Sequence, residues 1–184
     1  MENISYLIKN QVLNETSYKL VKAYDVFELR KYTASTLVEI NESGNREIAL
    51  TNALNKITSY LNQNNLKRAS CNQEGLPYVV MQGLDKGKKW IFEFYLQNDC
   101  YKLQELKKDL PEIKIKQFNE KYFATIKVTG LLSNETLIQL TLLLKSWIAK
   151  EKLEVIEKPK IAKYKSFWDF TLFEKREIMI EVKR

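Results

Sequence analysis

The residue types that carry out most enzyme chemistry are unevenly represented in this chain of 184 residues, which contains no histidine. Without imidazole, the chain cannot form Ser-His-Asp or Cys-His nucleophilic pairs, use histidine as a general acid or base, or build an HExxH metal motif. The commonest protein ligand of zinc and haem iron is also absent. No nucleophile stands beside a base in the sequence. We therefore predict a non-enzymatic protein with no catalytic residue and no metal site.

Two glutamates stand where burial would give them a chemical role. Glu93 lies among aromatic residues in the segment WIFEFYL, and Glu177 begins the last apolar segment of the chain. An unpaired carboxylate is costly to bury, so each glutamate needs a cationic partner if it is buried. We favour a solvated or arginine-paired glutamate over a pocket carboxylate for a cationic ligand.

Aromatic residues are concentrated near the end of the chain, in the segment SFWDFTLF. Two interpretations stay open for this cluster: it forms the wall of an apolar pocket, or it fills the core beneath a loop. The residues concerned are Phe167, Trp168, Phe170 and Phe173.

The charge balance favours a basic protein, with 30 Lys and Arg against 23 Asp and Glu and a net charge of +7. The basic residues are scattered, and the densest groups, Lys86–Lys89 and Lys158–Lys165, are not interleaved with exposed aromatics. We interpret them as solvated surface and predict no nucleic-acid partner. No apolar run reaches the roughly 18 residues of a membrane span, and no signal peptide is recognisable. The predicted location is cytoplasmic.

The elements that must position these residues form a pattern that occurs twice. Residues Tyr24–Leu61 and Ile113–Ile148 each indicate a strand, a tight turn, a second strand and an amphipathic helix. An alanine, Ala34 or Ala124, opens the second strand in each copy. Such internal similarity indicates a duplicated unit.

The fold prediction follows from this repeat and from the short loops between neighbouring strands, which favour antiparallel pairing. We predict an α+β fold of duplicated βαββ-type halves, forming an antiparallel sheet or distorted barrel flanked by two long helices. The helices are expected at Glu47–Asn62 and Ser133–Lys150, the halves at about 18–97 and 98–182. Residues 1–17 are expected to be an extension to a single domain, 18–184. On the first helix, the predicted core stripe is Leu50, Leu54, Ile57 and Leu61.

Four motifs in the same order resemble the SOUL haem-binding protein family over roughly residues 18–182. They are YDVFELRKY at Tyr24–Tyr32, the helix end at Leu54–Asn65, YFATIKVTG at Tyr122–Gly130 and the closing segment Tyr164–Val182. The resemblance implies a pseudo-twofold duplication, with eight strands in a sheet or distorted barrel flanked by two helices. The architecture is also similar to that of gyrase-inhibitor-like effector-binding domains.

The resemblance also implies where a ligand would bind. Leu54 and Thr58 match helix positions that touch tetrapyrrole in the family, and Lys56 could meet a carboxylate of the ligand. Candidate iron ligands are Tyr78, Met81, Cys71 and Cys100, and nothing in the sequence singles one out. The predicted cofactor-binding residues are Leu54, Lys56, Thr58, Leu61, Trp168, Phe170 and Phe173.

The function implied by this resemblance is non-enzymatic binding of haem or another tetrapyrrole in an apolar cleft, without histidine ligation. The expected partner is thus a tetrapyrrole or another hydrophobic small molecule. The sequence does not indicate whether the protein is a monomer or an oligomer. The alternative is an effector-binding or protein-interaction module of the same fold that does not bind haem.

Cys71 and Cys100 show no CxxC spacing, and in the expected cytoplasmic location they should be free thiols. Thiol counting on the unreduced, denatured protein should therefore find both cysteines reactive. A Cys71–Cys100 disulfide would contradict both the redox state and the predicted compartment.

Overall fold

The computed structural model describes residues 18–64, 79–84, 89–96, 111–128, 133–164 and 175–184. These residues form ten strands and two helices. The helices are α1 (Arg46–Gln63) and α2 (Asn134–Lys150). The strands are β1 (Tyr18–Tyr24), β2 (Phe27–Tyr32), β3 (Ser35–Ser43), β4 (Val79–Leu84), β5 (Lys89–Leu96), β6 (Ile113–Phe118), β7 (Lys121–Val128), β8 (Glu154–Val155), β9 (Lys160–Tyr164) and β10 (Lys175–Lys183).

The strands form one open sheet in the order β1-β2-β7-β10-β9-β4-β5-β3-β6, with β8 beside β10. Every pairing in it is antiparallel, as the short loops predicted. Of the two predicted architectures, the sheet is present and the closed barrel is not, because β1 and β6 remain at opposite edges.

The strand order shows a similar pattern when it is followed inward from either edge of the sheet. The set β2-β7-β10-β9 corresponds to β6-β3-β5-β4, because β7 and β3 each lead into a helix and the other two inner strands follow it. The outer strand of each set comes from the other half of the chain: β2 precedes β3 but pairs with β7, and β6 precedes β7 but pairs with β3. The duplication of the halves themselves stays a prediction.

Both helices begin at the residue types expected of helix starts. Asn45 caps α1 by accepting a hydrogen bond from the backbone N–H of Glu47 at 2.9 Å. Ser133 caps α2 by accepting one from Thr136 N–H at 3.0 Å. These caps satisfy backbone donors that the helix itself leaves open. Neither helix of the described segments is long and apolar enough to cross a membrane.

The two helices lie on the same face of the sheet. Strand register places Ile178 beside Ile161, Ile161 beside position 81, and position 81 beside Phe92, so Ile178, Ile161 and Phe92 lie on one face of the sheet. Ile178 packs with the α2 residues Leu144, Trp147 and Ile148. Phe92 packs with α1, on which the fully buried residues are Ala49, Ala53, Ile57 and Tyr60.

The core stripe of α1 therefore differs from the prediction. Ile57 is in its centre, but Leu50, Leu54 and Leu61 are only partly buried along one side of it. The reason is steric: the sheet already presents Phe92 and Phe94, and small side chains on the helix allow its backbone to approach these rings.

The opposite face of the sheet is also buried, which the sequence did not predict for β2. Arg30 and Tyr32 are 0% and 1% exposed, although they alternate along β2 with Leu29, which packs on the helix face. An apolar cluster on this face consists of Tyr32, Leu37, Tyr95, Phe123, Ala162 and Met179. The strand predicted at Tyr24–Tyr32 is also divided, because Asp25 adopts a φ of 53° in the turn between β1 and β2.

Candidate functional site

A cleft of about 470 Å³ lies between α1 and the start of β6. Its volume falls within the usual range of sites for small ligands. The residues that line it are Asn55, Lys56, Ser59, Tyr60, Gln63, Pro111, Glu112 and Ile113.

The helical period explains how α1 forms one wall of the cleft. Positions 56, 59, 60 and 63 are three or four residues apart, so their side chains share one face of the helix. Tyr60 and Ile113, which are 2% and 3% exposed, supply apolar surface at the core side. Pro111 and Glu112, in the turn before β6, supply the opposite wall. The cleft therefore combines an apolar floor with a polar rim.

Lys56 is the electrostatic centre of this rim. Its Nζ lies 2.8 Å from Oε1 of Glu42, on β3, and 2.6 Å from Oε2 of Glu112. Its hydrogen bond to Glu112, and then that to Glu42, raise the pKa of the ammonium, which stays charged at neutral pH. One cation is thus shared by two carboxylates.

The structure does not gather the sequence-predicted site residues into one place. Lys56 lines the cleft, but Thr58 is exposed two positions along the helix. Two residues correspond to about 200° around a helix, so these side chains point in nearly opposite directions. Leu54 and Leu61 lie on the Thr58 side of the core stripe. Trp168, Phe170 and Phe173 lie outside the described residues, as do Cys71, Cys100 and Tyr78.

Sequence reasoning missed Ser59, Tyr60 and Glu112 as neighbours of Lys56. Ser59 and Tyr60 follow Lys56 by three and four residues, so helical spacing alone could have placed both on the same face of α1 as Lys56. Glu112 carried no such signal, because it comes from a turn more than fifty positions later in the chain.

A second polar group lies on the opposite face of the sheet, where Arg30 and Glu177 form a two-pronged ion pair. The Nη1–Oε2 and Nη2–Oε1 distances are 2.5 and 2.9 Å, and both side chains are at most 1% exposed. Glu28 accepts a further hydrogen bond from Arg30 Nε at 2.7 Å, and the guanidinium carbon lies 4.5 Å from the ring centre of Tyr18. Burial alone would lower the pKa of Arg30, but the hydrogen bond to Glu177 raises it. Of the two states favoured for Glu177, solvated or arginine-paired, the structure shows the second.

Glu93 is paired in a similar way on the same face. Lys160 Nζ lies 3.0 and 3.1 Å from its two carboxylate oxygens, and Tyr95 donates to it at 3.3 Å. Glu157 contacts the same ammonium at 2.7 Å. Burial would lower the pKa of Lys160, but the charge of Glu93 and the hydrogen bonds to Glu157 and Glu93 raise it. Both buried carboxylates therefore already have cationic partners within the chain.

No group of three or more His, Cys, Asp and Glu side chains that could hold a metal ion occurs within the described segments. The cleft offers apolar contact at its floor, and hydrogen bonding and ion pairing at its rim.

Comparison with known sequences gives one family match and no individual relative. A sequence model described as "SOUL heme-binding protein" matches residues 13–181, nearly the whole chain. A search of curated proteins finds no match.

Comparison with solved structures finds distant likenesses that show the fold alone. The C-terminal domain of EcmrR is 12% identical, with a TM-score of 0.60 over 91% of this chain and 98% of that one. A hydrolase from Listeria innocua is also 12% identical, with a TM-score of 0.55 over 89% of this chain and 94% of that one.

Glu177→Gln tests the buried ion pair, because it keeps the shape of the side chain and leaves the Arg30 charge without its main partner. We expect a loss of about 3 kcal/mol in the free energy of unfolding, measured by denaturant titration. The control is Glu120→Gln, which removes an exposed partner 2.8 Å from Lys31 and should leave the free energy of unfolding nearly unchanged, because water screens this pair. Equal effects of the two variants would contradict the assigned role of the Arg30–Glu177 pair.

The buried tyrosines and Lys160 predict alkaline unfolding. Burial raises the pKa of Tyr95 and Tyr164 well above the usual value, helped by the charge of Glu93 for Tyr95, and by Tyr32 and Glu177 for Tyr164. Above about pH 10 the unfolded chain loses protons that the folded chain keeps, so stability falls as pH rises. The fall should be shallower in Tyr95→Phe and unchanged in Tyr24→Phe, whose ring is 57% exposed. A free energy of unfolding that stays constant from about pH 9 to 11 would contradict this.

Proposed function

The chain belongs to the SOUL haem-binding protein family, and we propose that it is a non-enzymatic protein that holds a tetrapyrrole in the cleft between α1 and β6. The observation that carries the proposal is the cleft itself, about 470 Å³ with an apolar floor and a lysine at its rim. A tetrapyrrole such as haem is complementary to this cleft, because it has a flat apolar ring with carboxylates at one edge.

The lining fits the ring and carboxylates of such a ligand better than it fits an iron atom. Tyr60, Pro111 and Ile113 offer apolar contact, and Lys56 could pair with a carboxylate. The chain has no histidine, and of the lining residues Tyr60 alone is of a type that ligates haem iron. We therefore propose that binding rests on the macrocycle and its carboxylates. The bound group would supply visible absorption and, if it holds iron, redox chemistry.

This mode of binding limits the affinity. Apolar burial contributes roughly 25 cal/mol per Å² before the cost of association and side-chain ordering is subtracted. Without a metal–ligand bond to add to it, we expect a dissociation constant of about micromolar or weaker.

A pocket for organic cations on the other face of the sheet is the less favoured alternative. Of its four buried carboxylates, Glu39 and Glu181 are paired with the more exposed Lys116 and Lys121, and Glu93 and Glu177 are neutralised by the buried Lys160 and Arg30. A cationic ligand would have to displace these side chains, which would leave a buried charge without a partner.

Titration with hemin and with iron-free protoporphyrin IX tests the function. We expect saturable binding of both with similar affinities, because the iron is not expected to bond to the protein. The Soret band of bound hemin should be broad and weakly shifted, with no sign of histidine ligation. No saturable binding of either compound would remove the carrier function and leave a module of the same fold that does not bind haem.

Two neighbouring hydroxyl residues of α1 locate the site, since Ser59 lines the cleft and Thr58 lies on the other side of the helix with Leu54 and Leu61. Ser59→Asp should weaken hemin binding by about tenfold by placing a charge against the ring, and Thr58→Asp should not. Thermal melting of both variants controls for folding. The reverse result would place the ligand on the Leu54–Thr58–Leu61 side that the sequence predicted.

A further inference from the structure

The two carboxylates that share Lys56 differ in how firmly they are held. Glu42 lies on β3 with its side chain only 10% exposed, whereas Glu112 lies in the turn before β6 and is 65% exposed. An exposed ion pair is weak, because water solvates each partner nearly as well as the pair does. Glu42 is therefore the lasting partner of Lys56, and Glu112 is the exchangeable one.

We propose that Glu112 is a built-in competitor for the ligand: its carboxylate occupies the place on Lys56 that a carboxylate of the bound molecule would take. The inference rests on the proposed function and adds to it a residue that sets selectivity. Glu112 lines the cleft itself, so the ligand and this side chain compete for one volume as well as for one cation.

The charge balance at the rim gives the competition its direction. Lys56 is one cation between two carboxylates, and a carboxylate on the ligand would be a third. Like charges close together are unfavourable, so Glu112 must leave Lys56 when an anionic ligand arrives. A ligand without carboxylates does not need this cation, and Glu112 can stay. Glu112 thus weakens binding of carboxylate-bearing ligands selectively.

The displacement requires no change in the sheet. Glu112 precedes β6, whose pairing with β3 begins with Ile113 beside Ile40. Its largely exposed side chain can turn into solvent by rotation about its own bonds, while Ile113 stays buried.

Glu112→Gln tests the competition, with Glu120→Gln as the matched control. Glu120 is also largely exposed, at 59%, and also contacts a partly exposed lysine, Lys31, but it lies beyond the far end of β6. Both variants change the net charge equally. We expect Glu112→Gln to strengthen hemin binding about two- to fivefold and Glu120→Gln to leave it unchanged. Hemin dimethyl ester, which has no free carboxylate, should bind wild type and Glu112→Gln equally.

A double-mutant cycle identifies Lys56 as the group competed for. In a Lys56→Met background, Glu112→Gln should no longer strengthen hemin binding, because no cation remains to be released. Thermal melting checks folding, and if Lys56→Met fails to fold, the comparison of hemin with its ester still decides.

The outcomes separate this inference from the function on which it rests. Saturable hemin binding that is equal in wild type and Glu112→Gln would overturn the competition and keep the carrier function. An equal gain with hemin and its dimethyl ester would also overturn it, because the effect would then be steric. No saturable hemin binding by the wild type would remove both.

Discussion

The described structure depends on the ion pair between Arg30 and Glu177, which is buried at its centre. The pair joins β2, near the start of the described chain, to β10 at its end, and β7 lies between them in the sheet. Two charges at most 1% exposed are tolerable only when each is fully paired, and here the two Nη atoms of the guanidinium each donate to one carboxylate oxygen of Glu177. The position of β2 in the sheet is therefore restricted to the one that brings these groups together, since any slip would leave two buried charges unpaired.

The two faces of the sheet differ in the side chains that cover them. The face away from the helices is filled by aromatic and ion-paired side chains that satisfy one another, including the Lys160–Glu93 pair. The helix face is apolar throughout its two clusters, and the edge of α1 leaves room for a cleft beside β6. The proposed ligand site is therefore at the edge of the apolar core beside α1 and β6, whereas the buried ion pairs on the other face stabilise the sheet.

The sequence predicted the features that depend on local pattern. The aromatic segment around Glu93 forms β5, with Phe92 and Phe94 on the helix face, and the helix bounds were predicted to within two residues. Pairing of Glu177 with an arginine could be predicted in kind, because a buried carboxylate requires it. That the arginine is Arg30 could not, since the contact spans 147 positions.

The misjudged parts of the site have the same physical origin. Leu54 and Leu61 were predicted as core residues because they are large and apolar. The aromatic rings on the sheet leave room only for small side chains where α1 approaches closest, and Ala49 and Ala53 occupy these positions. Lys56 was recognised as a carboxylate partner, but Glu42 and Glu112 reach it only through the tertiary fold. The cleft lies on one side of α1 because the start of β6 packs beside that side. The helical period of α1 carries no information about where β6 lies.

The exchange of outer strands between the halves has a consequence for how the chain folds. β2 is completed by β7 and β6 by β3, so each half lends a strand to the other, as two subunits do in a domain-swapped dimer. The first half cannot complete its set of strands before β6 (Ile113–Phe118) has been made, and the second half needs β2 from the first half. Most pairings that hold the described sheet are distant in sequence, and we expect such a topology to fold slowly. In such an interlocked chain, the cleft beside α1 should be lost together with the strands contributed by the second half.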